Sequence, residues 1–107
     1  MIANGNSGLG SIIPLLFNSD PIAGYQLKDL DFTLEVFSPP SSKRQIIKKE
    51  ETYPIDNGSV VYYVDSRKIG AGKYYTKATI NIPDPKAPEG YWIEVRTVES
   101  GVTIDPQ

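Results

Sequence analysis

The chain has 107 residues, with 11 Lys and Arg against 13 Asp and Glu, a formal charge of -2, and neither cysteine nor histidine. That length allows one domain with a single modest core. The missing Cys and His exclude a disulfide frame, thiolate or imidazole zinc sites, and Ser-His-Asp or Cys-His catalysis, and so mild an acidity argues against nucleic acid as a partner.

Residues 1–24 differ from the rest of the chain: Asp20 is their only charged side chain. Gly5, Gly8 and Gly10 with Asn4 and Asn6 read as flexible backbone. Ile12-Ile13-Pro14-Leu15-Leu16-Phe17 is an apolar run of six with a proline inside, far too short to span a membrane. Pro14 restricts it to an edge strand or to non-strand. Asn18-Ser19-Asp20-Pro21 is a turn cluster. Neither the basic region nor the long apolar run of a signal peptide is present, so the chain is expected in the cytoplasm until assembly.

Leu30, Phe32, Leu34 and Val36 alternate with Asp31, Thr33 and Glu35, the period of a strand with one face on a core. Ser38-Pro39-Pro40-Ser41-Ser42 ends it. Lys43–Lys49 reads as a short strand around Ile46-Ile47, with Lys43, Arg44, Lys48 and Lys49 as the charged guard of a sheet edge. Glu50–Ile55 is extended and broken at Pro54. Asp56-Asn57-Gly58 signals a hairpin, because its turn needs positive φ. Ser59–Asp65 has apolar side chains on both faces and reads as a central or doubly covered strand.

Ser66–Gly72 is a tight turn. Lys73–Ile82 is a long strand with Tyr74, Thr76, Ala78, Ile80 and Ile82 on one side. Pro83–Gly90 is a rigid loop. Tyr91–Val98 is expected to turn Ile93 and Val95 inward and Glu94 and Arg96 outward. Glu99-Ser100-Gly101 is expected to turn the chain into a short last strand, Val102–Ile104. No segment holds a helical period over ten residues. The pattern is that of an all-β, antiparallel sandwich of immunoglobulin-like architecture, residues 25–107, preceded by an extended N-terminal arm, residues 1–24.

Chemistry-bearing motifs are sparse. Gly70-Ala71-Gly72-Lys73 lacks the spacing and the following Ser or Thr of a phosphate loop. The aspartates lack calcium-loop spacing. Asn57-Gly58-Ser59 matches a glycosylation sequon, which the hairpin already explains. Carboxylate pairs of the glycosidase kind are the remaining route to catalysis, and a sandwich this small offers little cleft. The expectation is no enzyme and no cofactor or metal.

Two features point to binding instead. Ile12, Ile13, Leu15, Leu16 and Phe17 read as the anchor of an arm that docks on a neighbouring subunit, leaving a body that folds without it. In the pairs Tyr62-Tyr63, Tyr74-Tyr75 and Tyr91-Trp92, alternation sends one ring to each side, so Tyr63, Tyr75 and Trp92 are candidate interface or sugar-stacking aromatics.

The stretch from Leu27 to Ile104 resembles a small β-domain of tailed phages of gut bacteria, including crAss-like phages, found near the start of fibre and baseplate-type virion proteins. The likeness rests on Leu30-Asp31-Phe32, Val64-Asp65 before Ile69-Gly70-Ala71-Gly72, Ile82-Pro83-Asp84, Pro88-Glu89-Gly90, Glu94-Val95 and Ser100-Gly101-Val102-Thr103-Ile104. Such domains anchor a fibre to the particle. With no shaft or receptor domain before Gln107, the resemblance implies a virion auxiliary, decoration or adaptor subunit of head or tail. Its implied partners are capsid, fibre or baseplate proteins and further copies of itself, with no membrane and no nucleic acid. A carbohydrate-binding or adhesin module using the exposed aromatics is the alternative.

Overall fold

The computed structural model describes residues 5–18, 21–39, 41–55 and 58–106. The expected positions Met1–Asn4 of the arm, Ser19-Asp20 and Pro40 of two turn clusters, and Asp56-Asn57 of the hairpin signal lie outside the described residues.

Among the described residues, eight strands form two sheets: β1 (Gly5–Gly8), β2 (Ile12–Phe17), β3 (Asp31–Phe37), β4 (Arg44–Lys48), β5 (Tyr53–Pro54), β6 (Val60–Asp65), β7 (Gly72–Pro83) and β8 (Tyr91–Asp105). The larger sheet runs β1-β8-β7-β3-β4 and the smaller β2-β6-β5. Neighbours are antiparallel except β1 and β8, which are parallel. The protein is an all-β sandwich.

The period-two segments settle as their patterns dictate. Phe32, Leu34 and Val36 of β3 and Tyr74, Thr76, Ala78, Ile80 and Ile82 of β7 all point into the core. β6 is the central strand of the smaller sheet, and β4 is the guarded edge of the larger one. Around the hairpin, Ile55 N–H donates to Ser59 O at 2.9 Å and Gly58 N–H to Ile55 O at 3.1 Å.

The N-terminal segment is not a free arm. β1 pairs with β8 at the edge of the larger sheet, and the chain then crosses at Leu9–Ser11 to join the smaller sheet as β2, paired with β6 from Ile12↔Asp65 to Phe17↔Val60. Ile13, Leu15 and Phe17 are buried beside Val60, Tyr62 and Val64. The crossing is pinned by Ser66: its hydroxyl donates to Ser11 O and accepts from Gly10 N–H, both at 2.8 Å. The boundary expected at residue 24 therefore divides one core. The physical reason is that one face of the apolar run in β2, Ile13, Leu15 and Phe17, finds its complement within the same chain, so no second molecule is needed to bury that face.

The last strand also departs from expectation. β8 is continuous over 15 residues; at about 3.3 Å per residue it spans roughly 50 Å, close to the 51 Å long axis of the molecule. Ser100-Gly101 makes a bulge in it instead of a turn, with Gly101 at φ 77 and the register slipping opposite Lys73 and Tyr75. Because Ile82 pairs with Trp92 and Ala78 with Arg96, even-numbered residues of β8 share the core side. Ile93 and Val95 consequently point outward and are more than half exposed, the reverse of the expected phase. Arg96 and Glu94 satisfy each other through a close ion pair.

The region before β7 is a single helical turn, α1 (Ser66–Ile69), capped by Asp65, whose side chain accepts from Arg67 N–H. Gln45 ties the two sheets together at this end: its amide accepts from Asp65 N–H at 2.9 Å and donates to Tyr63 O at 3.3 Å.

Candidate functional site: the outer face of the smaller sheet

A strand buried on one side presents its other side chains outward. On β2 these are Ile12, Pro14 and Leu16; their cross-strand partners on β6 are Asp65, Tyr63 and Val61, and Val61 in turn faces Tyr53 of β5. The result is an apolar strip with Ile12 61% exposed, Tyr53 58% and Tyr63 52%. Tyr53 and Tyr63 meet edge to face with centroids 6.1 Å apart, an arrangement that fixes both rings.

Asp65, the one charged side chain in these rungs, is neutralised locally. Arg67 grips its carboxylate with Nε at 2.9 Å and a terminal nitrogen at 2.8 Å, and these side-chain hydrogen bonds hold its carboxyl below the usual range. The strip thus carries one charged side chain, and that one paired, whereas the opposite surface of the molecule carries several charged groups. There, on the outer face of the larger sheet, Glu35 pairs with Arg44 at 3.0 Å and Lys73 with Glu99 at 2.7 Å.

The expected anchor residues divide between two roles. Ile13, Leu15 and Phe17 are core, whereas Ile12 and Leu16 reach the outer face and join Tyr63. The three candidate aromatics are not brought together. Tyr63 lies on the strip. Tyr75 lies on the larger sheet, stacked on Phe37 with centroids 5.9 Å apart, and Arg44 sits 4.9 Å over the Phe37 ring. Trp92 lies on the core-facing side of β8, 40% exposed. Three rings on three surfaces cannot make one stacking platform. Sequence reasoning missed Tyr53, because a two-residue strand beside a proline carries no readable period. It also missed Pro14 and Val61, whose outward aspect follows only from the pairing.

Among the described residues no three His, Cys, Asp or Glu side chains gather to hold a metal, and no helix is long and apolar enough to cross a membrane.

No family model matches the chain, and no curated protein does. A solved structure titled as a glycoside hydrolase from Bacteroides vulgatus ATCC 8482 is similar at a TM-score of 0.46 and 7% identity, covering 98% of this chain and 17% of its own. The chain spans about a sixth of that protein's length, and a likeness so loose identifies no activity.

Proposed function

We propose that the protein is a non-enzymatic structural subunit of a phage particle, an auxiliary, decoration or adaptor protein that docks on a neighbouring virion protein through the outer face of its smaller sheet. The resemblance of Leu27–Ile104 to virion β-domains supports the setting. The observation that carries the docking surface is the uncharged, contiguous strip of Ile12, Pro14, Leu16, Tyr53, Val61 and Tyr63, in which Ile12, Tyr53 and Tyr63 are each more than half exposed.

Its size suggests how it works. Six residues of β2 and β6 plus the short β5, at strand spacings of about 4.8 Å, give a footprint on the order of 250 Å². A stable isolated interface needs about 800 Å² per partner. The strip alone therefore holds a partner weakly, and it becomes effective where many copies sit on one lattice and each contact raises the effective concentration of the next. The test is incorporation into particles of the source phage: wild-type protein is expected at a fixed copy number, and Ile12→Lys or Tyr63→Ala protein is expected to be missing from them while still folding.

A further inference from the structure

The opposite surface carries a second, differently built feature. On the outer face of the larger sheet, cross-strand pairing sets side chains in rungs. Toward the β4 loop end, Phe37 stacks on Tyr75 under Arg44, and Glu35 holds Arg44, while Lys77, opposite Glu35, enters neither contact. The next two rungs are polar. Thr33 faces Thr79, and Asp31 faces Asn81. None of these four side chains hydrogen-bonds to another group among the described residues, although each is a strong donor or acceptor. They form the floor of a trench of about 440 Å³, walled on the β4 side by Ile46, Lys48, Lys49 and Glu50, which continues past Asp31 and Asn81 into a second hollow of about 300 Å³ bounded by Tyr91. Ile93 and Val95, turned outward by the β8 register, flank the same two rungs, 53% and 54% exposed.

We infer that this trench binds a segment of glycan. The ligand must offer hydrogen-bonding groups in closely spaced pairs and an apolar C–H face alongside them, and a pyranose ring offers both. Asp31 accepts from hydroxyls, Asn81 donates and accepts, and the paired threonines do either. Ile93 and Val95, exposed beside Asn81 and Thr79 on the same sheet face, offer an aliphatic surface at the trench margin to the ring's C–H face. Successive rungs on one sheet face are about 6.7 Å apart, comparable to one sugar unit, so two rungs read two consecutive units. An extended peptide is a poorer fit, because its backbone groups would need an open strand edge and this is a sheet face. The site is separate from the docking strip and lies on the other sheet.

The test is titration of isotopically labelled full-length protein with a panel of malto-, cello-, xylo-, manno- and chito-oligosaccharides, monitored by amide shifts. At least one sugar is expected to give saturable shifts centred on Asp31, Thr33, Thr79 and Asn81. Asn81→Ala and Asp31→Ala, both at exposed positions, are expected to weaken it about tenfold or more, and Tyr63→Ala is expected to leave it unchanged. No saturable shift with any sugar of the panel overturns the inference. So does undiminished binding in both trench variants, a response centred on Tyr53 and Tyr63, or a response only to an unstructured peptide control.

Discussion

Leu15 and Leu16 are consecutive residues of β2 with opposite surroundings: Leu15 is fully buried opposite Tyr62, and Leu16 faces out opposite Val61. The two faces of this one strand carry the stability of the protein and its proposed contact with others, and substitutions should separate them. Leu15→Ala is expected to cost about 2–5 kcal/mol, the range for emptying a packed leucine site. Ile12→Lys, on the outer face, is expected to change stability by less than about 0.5 kcal/mol. Urea denaturation of both variants checks the contrast.

Removing residues 1–20 is expected to unfold the remainder. The cut takes away the buried Ile13, Leu15 and Phe17, each contributing about 1.5–3 kcal/mol. Their sum rivals the whole stability of a typical domain, about 5–15 kcal/mol. Circular dichroism of the shortened protein decides it; a cooperative melt near that of the intact chain would contradict the fold described.

Much of the fold was readable in the sequence where one side chain in two was apolar and the partner face was polar, as in β3 and β7. The destination of β2 was not. Its residues announced burial, but whether they bury at home or abroad depends on β6, some fifty residues away, and no local pattern carries that pairing. β8 misled for a different reason. Ile93 and Val95 read as the inward set because they are aliphatic, yet the ladder to β7 fixes the opposite phase, and Glu94 and Arg96 tolerate the core side by pairing with each other. Gly101 read as a turn because positive φ is what turns need; a bulge needs it too. Of the docking strip, Ile12, Leu16 and Tyr63 were legible as candidates, and only the topology brought them together with Tyr53.

Across the sandwich, the Tyr62 hydroxyl and Thr76 Oγ1 are 2.6 Å apart, and Thr76 Oγ1 is 3.1 Å from Ser100 Oγ. Tyr62→Phe is expected to lower stability by about 1 kcal/mol. Because Tyr62 and Thr76 share one bond, adding Thr76→Val should cost less than the sum of the two single changes. A double-mutant cycle by chemical denaturation measures this.

The same tyrosine sets an alkaline limit. Burial pushes Tyr62 up to about 12, and burial with a smaller contribution from Asp65 does the same for Tyr74. The unfolded chain releases these protons near pH 10. The folded state therefore binds more protons between pH 10 and 12, so stability is intact below pH 10 and falls as pH rises through that window. For Tyr62 alone the loss approaches roughly 3 kcal/mol by pH 12. Stability measured from pH 8 to 12 should show the drop, and Tyr62→Phe should make it shallower.

Gly72 is expected to resist replacement. It has φ +127, and a Cβ there would collide with the buried Ser38 Oγ. Gly72→Ala is expected to destabilise by more than about 1 kcal/mol. Adding Ser38→Ala should recover part of the loss, since it removes the contact and leaves the backbone strain. Thermal melts of the single and double variants check the order.

The outer face of the smaller sheet is the contact on which the proposed role depends. The direct measurement is the copy number of the protein in purified particles made with wild-type, Tyr63→Ala or Asn81→Ala protein, by quantitative mass spectrometry. The expected result is a fixed complement for wild type and for Asn81→Ala, and loss of most copies for a folded Tyr63→Ala variant. Particles that carry the Tyr63→Ala protein at the wild-type level, or that contain none of the wild-type protein, would contradict it.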